Sequence, residues 1–146
     1  MIDRFQAFVS GITICYKYIQ KIKAMEMTEF GLKGTHVMCI FYIHHSEQEI
    51  TAAQLCQLCA EDKAAISRTL VTLQDKGYVQ ADEKKYRAHL YLTEEGEKLA
   101  RQIDGLIEQW VDFGGDGLTE EERNAFYYAL NLISSNLRDT LKKEKK

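Results

Sequence analysis

ITAAQLCQLCAEDKAAISRTLVTLQDKGYVQADEKKYRAHLYLT, residues 50–93, is the stretch whose reading decides the fold. Thr51 and Gln54 stand at capping-box spacing. The threonine hydroxyl accepts from the Gln54 amide while the Gln54 side chain bonds back, so a helix starts here and runs to about Cys59. Ala60-Glu61-Asp62 then makes a turn, and Asp62 is an N-cap for a second helix from Lys63 to Lys76. Gly77 follows its last turn, where left-handed backbone is common. Tyr78–Asp82 and Arg87–Leu92 read as strands, with Leu90 and Leu92 on one face and His89 and Tyr91 on the other. The link between them lacks glycine and asparagine, so a tight primed turn is not signalled. Two helices across a turn, followed by a hairpin, is the order of a winged helix-turn-helix. That unit is built to lay its second helix in a DNA major groove.

Outward from this stretch the pattern is helical. Phe5, Phe8, Val9, Ile12, Tyr16 and Ile19 recur every three or four residues, which predicts an amphipathic helix over 3–25. Gly31 and Gly34 bracket a break. The run VMCIFYI from Val37 is apolar throughout, so periodicity alone does not separate strand from buried helix. Helical neighbours and the lack of a partner strand favour a buried central helix over 35–46. Thr93 caps a long helix with Leu99, Ile103, Leu106, Trp110 and Phe113 along one seam. Gly114-Gly115-Asp116-Gly117 interrupts it, and the capping box Thr119–Glu122 opens a last helix carrying Phe126, Leu130, Ile133, Leu137 and Leu141. The two end helices carry more apolar surface than one winged helix needs to cover, which points to a two-fold dimer interface built from both ends.

Bulk properties agree with a mostly α (α+β) chain. The 146 residues contain no proline, which suits helices joined by glycine-based connections. With 45% hydrophobic and 28% charged residues the composition is that of a globular domain, and disorder is expected only at 142–146. No apolar run reaches the ~20 residues of a membrane span. The N-terminus Met1-Ile2-Asp3-Arg4 has no secretory pattern, so a cytoplasmic location with four reduced cysteines is expected. A net charge of −3 does not advertise a nucleic-acid partner, but phosphate binding depends on where the positive charges sit.

The residues at 50–79, and LYLTEEG at 90–96, resemble the MarR (multiple antibiotic resistance regulator) family of bacterial transcription factors. The flanking helices match that family in order and length. The resemblance implies a single MarR-type domain over 1–146, with a DNA-binding lobe at 35–93 and dimerisation helices at 1–30 and 94–141. It further implies a homodimeric regulator, a repressor released by a small ligand, with one recognition helix per subunit in the major groove and a wing near the minor groove. The tip Asp82-Glu83-Lys84-Lys85-Tyr86-Arg87 departs from the family, whose wing usually carries an Asp-x-Arg element. A purely protein-interacting winged helix is the alternative without DNA.

Lys63, Ala64, Ala65, Ser67 and Arg68 lie in the first turn and a half of the second helix, the part that reaches base edges in such proteins. Ile66, Leu70 and Leu73 have the complementary spacing and belong to the core. Arg68 matches an arginine important in similar regulators, and its fork suits guanine O6 and N7 or a phosphate. Lys84, Lys85 and Arg87 give the wing its positive tip. Over 63–87 six basic residues face three acidic ones, a local +3 in a chain of −3.

Other chemistry is weaker. Cys56 and Cys59 have CxxC spacing, but no second ligand pair follows, and at positions where small apolar residues pack the first helix onto the second they are expected to be core. Cys15 is the candidate for a redox-responsive repressor, because oxidant sensors in the family use a cysteine in the N-terminal region. His44 and His45, with Glu47, suggest a metal site, since some similar regulators bind zinc near there, but adjacent side chains on a helix diverge, and the pair reads as a polar helix terminus. His36 and His89 have no evident partner. No phosphate loop or nucleophile motif is present, so neither an enzyme nor a cofactor is expected. Tyr16, His36, Tyr42 and Trp110 lie where similar proteins hold effectors, although aromatics at such spacing usually form core.

Overall fold

A computed structural model describes residues 1–144. The chain runs α1 (Ile2–Glu26), a 3-10 turn (Thr28–Phe30), α2 (Gly34–His44), β1 (Ile50–Thr51), α3 (Ala52–Cys59), α4 (Lys63–Asp75), β2 (Val79–Ala81), β3 (His89–Leu92), α5 (Glu94–Gly114) and α6 (Glu120–Glu144). It divides into two compact units, Met1–Leu106 and Ile107–Lys146, with the boundary inside α5.

In the first unit α2 is the buried centre. His36, Val37, Cys39, Ile40 and Ile43 are all buried on it, as a helix apolar on most sides requires. It packs against α1, α3, α4 and β3. The three strands form an antiparallel sheet in the order β1-β3-β2. Ile50 pairs with Leu90, and Val79 with Leu92. Sequence reading supplies two of these strands; β1 is added because Ile50 and Thr51 pair across to β3 just before α3 begins.

The starts of α3 and α5 use the caps their sequences offer. Gln54 N–H donates to the Thr51 hydroxyl at 3.4 Å, and Thr51 N–H donates to Gln54 Oε1 at 2.8 Å. Gly96 N–H donates to Thr93 Oγ1 at 3.0 Å, opening α5. Gly96 is buried where α5 passes Tyr78, the residue before β2. A Cβ there would stand 2.0 Å from the Tyr78 carbonyl oxygen, so only glycine permits the approach.

In the second unit Thr119 and Glu122 cap α6 reciprocally, at 2.8 and 3.2 Å. Lys142, Lys143 and Glu144 continue α6, where the lysine-rich tail was expected to be disordered; Lys145 and Lys146 lie outside the described residues. Neither α1 nor α6 buries a single described residue. Phe5 on α1 is 68% exposed and Leu137 on α6 is 55% exposed.

Candidate nucleic-acid interface

α4 is divided by its own periodicity. Ile66 and Leu73 are fully buried, and Leu70 nearly so. They anchor the helix on α2 and α3. Asp62 Oδ1 accepts the Ala65 N–H at 2.7 Å, fixing the first turn. Opposite the core, Lys63, Ala64, Ser67 and Arg68 are exposed, while Ala65 is half-buried. The left-handed Ala60 (φ 53°) closes α3 and sets the tight turn between the two helices. A rigid, capped helix therefore presents one cationic, small-residue face to solvent. That is a surface able to approach a groove without steric bulk, with Arg68 as the planar donor.

The link from β2 to β3 carries its cations unequally. Lys84 N–H donates to Asp82 Oδ1 at 3.2 Å, and the Lys84 ammonium lies 3.8 Å from Asp82 Oδ2 and 3.5 Å from His89 Nδ1. The Lys85 ammonium sits 5.9 Å from the Tyr86 ring centroid, a cation–π contact that leaves it outward. Arg87 is exposed in the left-handed region at φ 52°. Lys85 and Arg87 are thus the outward cations of this link, while Lys84 is drawn toward its root. His89, expected to stand alone, lies with Nδ1 2.8 Å from Glu49 and 3.2 Å from Asp82.

His36 is buried, and its Nδ1 accepts the Lys33 N–H at 2.8 Å, so it too has a partner. Burial, aided by the charges of Lys33 and Lys76, lowers its pKa below the ordinary histidine value. Cys56 and Cys59 are half-buried rather than core, and the Cys59 sulfur meets Cys39 of α2. The hydrogen bond to Cys59, reinforced by burial, pushes the Cys39 thiol far up, and the same bond lowers Cys59. Cys15 is exposed on α1. Tyr16 is exposed, Tyr42 is half-buried with its hydroxyl pKa raised by burial, and Trp110 meets Phe113 edge-on at 5.6 Å.

His44 and His45 do not diverge. His44 Nε2 is 3.5 Å from Asp104 Oδ2 and His45 Nε2 is 2.9 Å from Asp104 Oδ1. The helix ends between them. His45 is already the C-cap at ψ 5°, so the ordinary angular step between helical neighbours does not separate the two rings.

A model of the MarR family matches residues 30–88, from the 3-10 turn to the base of β3. The fold is that of the MarR family. A MarR-family transcriptional regulator from Silicibacter pomeroyi is 25% identical, with 86% of each chain covered and a TM-score of 0.74. A MarR/EmrR family transcriptional regulator from an Acinetobacter species is 21% identical, with 95% of this chain and 99% of that chain covered and a TM-score of 0.82. A MarR transcriptional regulator from Methanosarcina mazei is 19% identical, with 92% of each chain covered and a TM-score of 0.82. All three are transcriptional regulators. No helix of the described chain is long and apolar enough to cross a membrane.

Proposed function

We propose that the chain is a sequence-specific, double-stranded-DNA-binding transcriptional regulator that acts as a homodimer on a pseudo-palindromic operator. The observation that carries this reading is the division of α4. Three buried aliphatics hold it, an Asp62 cap fixes its N-terminal turn, and Lys63, Ser67 and Arg68 face outward. Arg68, with Ser67 and the small Ala64 and Ala65, reads base edges; Lys63, Lys85 and Arg87 meet phosphates, with Lys84 contributing less.

In this reading residues 1–146 form one MarR-type domain, 35–93 are the DNA-binding lobe and 1–30 with 94–141 supply the dimer interface. The exposed apolar side chains of α1 and of α6 support that assignment, because obligate homodimers bury surfaces of this kind. Two-fold symmetry then sets half-sites about one helical turn, roughly 34 Å, apart. In the same reading the bound dimer represses, and a small effector releases it from DNA. Selection of bound sequences from random duplex, with the mass of the complex measured by light scattering, tests the whole reading. Enrichment of an inverted repeat bound by two chains is the expected result. Failure to shift any duplex at low salt refutes it and leaves a protein-interaction module.

A further inference from the structure

The root of the β2–β3 link holds a histidine whose partners come from around all three strands. His89 opens β3 and pairs with Thr51 of β1. Its Nδ1 lies 2.8 Å from Oε2 of Glu49, the residue before β1, and 3.2 Å from Oδ2 of Asp82, the residue after β2. The backbone closes the same corner, since Asp82 N–H donates to the His89 carbonyl at 2.9 Å. A third group competes for the ring. The Lys84 ammonium stands 3.5 Å from His89 Nδ1 and 3.8 Å from Asp82 Oδ2. One ring nitrogen is thus faced by two acceptors and one donor.

Such a set of partners responds to a proton, and histidine is the side chain whose charge ordinarily changes between pH 5 and 8. With Nδ1 unprotonated, the Lys84 ammonium donates to the ring and is drawn in toward the sheet. A protonated ring instead donates to Glu49 and Asp82 and sets a positive charge beside Lys84, which turns the ammonium outward. Whichever tautomer it starts from, the added proton also cancels the one negative charge by which two carboxyl groups exceed one ammonium here. Desolvation opposes the ionisation of Asp82, but the backbone N–H groups of Lys84 and His89, with the charges of those side chains, hold its carboxyl below the usual range. It therefore stays anionic while a histidine titrates. The His89 side chain is 25% exposed, which admits protons from solvent, and that of Lys84 is 61% exposed and turns without disturbing the core. β1 and β2 carry no titratable side chain, and Glu83, Lys85 and Arg87 of the link are exposed. The histidines of α2, which packs against β3, have partners elsewhere: His36 takes the Lys33 N–H, and His44 faces Glu97 and Asp104.

With the link placed against DNA, as in the reading above on which this rests, we infer that His89 is a proton switch on phosphate binding: its protonation releases Lys84 to the duplex backbone, so DNA is held more tightly as pH falls. His89 touches no DNA itself and acts through Lys84, as a positioning residue. Because linkage is reciprocal, binding of the duplex takes up a proton. Each lysine that meets a phosphate steepens the dependence on salt, so the contribution of Lys84 to the salt slope grows from high pH to low.

The test measures the affinity of the full chain for a mixed-sequence duplex at low salt across the histidine range, pH 8 to 5, with proton uptake read by calorimetry in two buffers of different ionisation enthalpy. Binding about 5-fold tighter or more at the acid end is expected, with uptake approaching about one proton per chain. The salt slope of the parent should be steeper at pH 5 than at pH 8 by roughly 1 per chain. His89→Gln should flatten the pH profile and remove most of the uptake, whereas loss of a merely structural histidine would weaken binding alike at every pH. Lys84→Met alters an exposed side chain, so its fold is kept, and it should lose the change of salt slope with pH. A parental affinity or salt slope that does not change with pH, or a parental profile retained by His89→Gln, overturns the switch and leaves DNA binding in place. No complex with any duplex at any pH removes the DNA-binding reading and the switch together.

Discussion

Substituting Gly96 by alanine puts the packing account to a test in which local propensity and tertiary contact predict opposite signs. Alanine within a helix is favoured over glycine by up to about 1 kcal/mol, so propensity alone predicts a gain. The structure predicts a loss. The added Cβ falls 2.0 Å from the Tyr78 oxygen, 3.0 Å from the Tyr78 carbonyl carbon and 3.2 Å from the Leu92 Cβ. The first of these is backbone and cannot rotate away, so α5 and β2 must separate by about 1 Å or more to restore ordinary contact. The same Tyr78 oxygen accepts the Thr93 N–H at 3.0 Å, and that bond lengthens as the elements part. Overpacking costs ~1–3 kcal/mol and the strained hydrogen bond ~1 kcal/mol. Less the propensity gain, the net loss is about 1–3 kcal/mol, or roughly 3–12 °C in Tm for a chain of this size. Gly105, with nothing within 4 Å of its added Cβ, is the control on the same helix, and Gly105→Ala should gain ~0.5–1 kcal/mol. Urea unfolding of both variants at one protein concentration reads the difference. Gly96→Ala at or above parental stability would refute the close approach of α5 to β2.

Three further outcomes follow from the site and the core. Asp62→Ala removes the acceptor for Ala65 N–H and should cost ~0.5–2 kcal/mol of stability, measured by urea unfolding, while Asp62→Asn should remain close to the parent. Lys85→Ala should reduce the slope of log affinity against log salt by roughly 1, and Lys84→Ala by less, because its ammonium is shared with Asp82; equal slopes would place both lysines alike. His36 carries a pH dependence of defined sign, since its folded pKa is lowered by burial and its unfolded value is about 6.5. Its contribution is complete above that value and is lost as pH falls below it toward the folded pKa, because the unfolded chain then binds the proton more readily. Stability measured from pH 7 to 5 should therefore fall more steeply in the parent than in His36→Gln, and parallel curves would remove His36 as the cause.

Most helix boundaries were legible because they are local. Thr51, Asp62, Thr93 and Thr119 each precede a helix they cap by hydrogen bonds three residues away, information the sequence carries within one turn. The core face of α4 was equally plain, since Ile66, Leu70 and Leu73 are set by the helical period. What depends on distant partners was not. β1 is two residues long and exists through pairing with β3, with no local signature of its own. The closeness of Gly96 to Tyr78 arises only when α5 passes the residue before β2. His44 and His45 form the polar helix terminus expected, but their rings do not diverge, because the helix stops between them and Asp104, some sixty residues on, lies against both. Periodicity correctly found an apolar stripe on α1 and another on α6, but a stripe does not name what covers it.

If α4 is the element that reads sequence, the affinity of Arg68→Ala for a selected duplex and for variants of it must show it. Loss of ~1–3 kcal/mol on the preferred site, together with relaxed preference at one base-pair position in each half-site, is predicted. Unchanged affinity and unchanged preference would contradict the placement of α4 in the major groove.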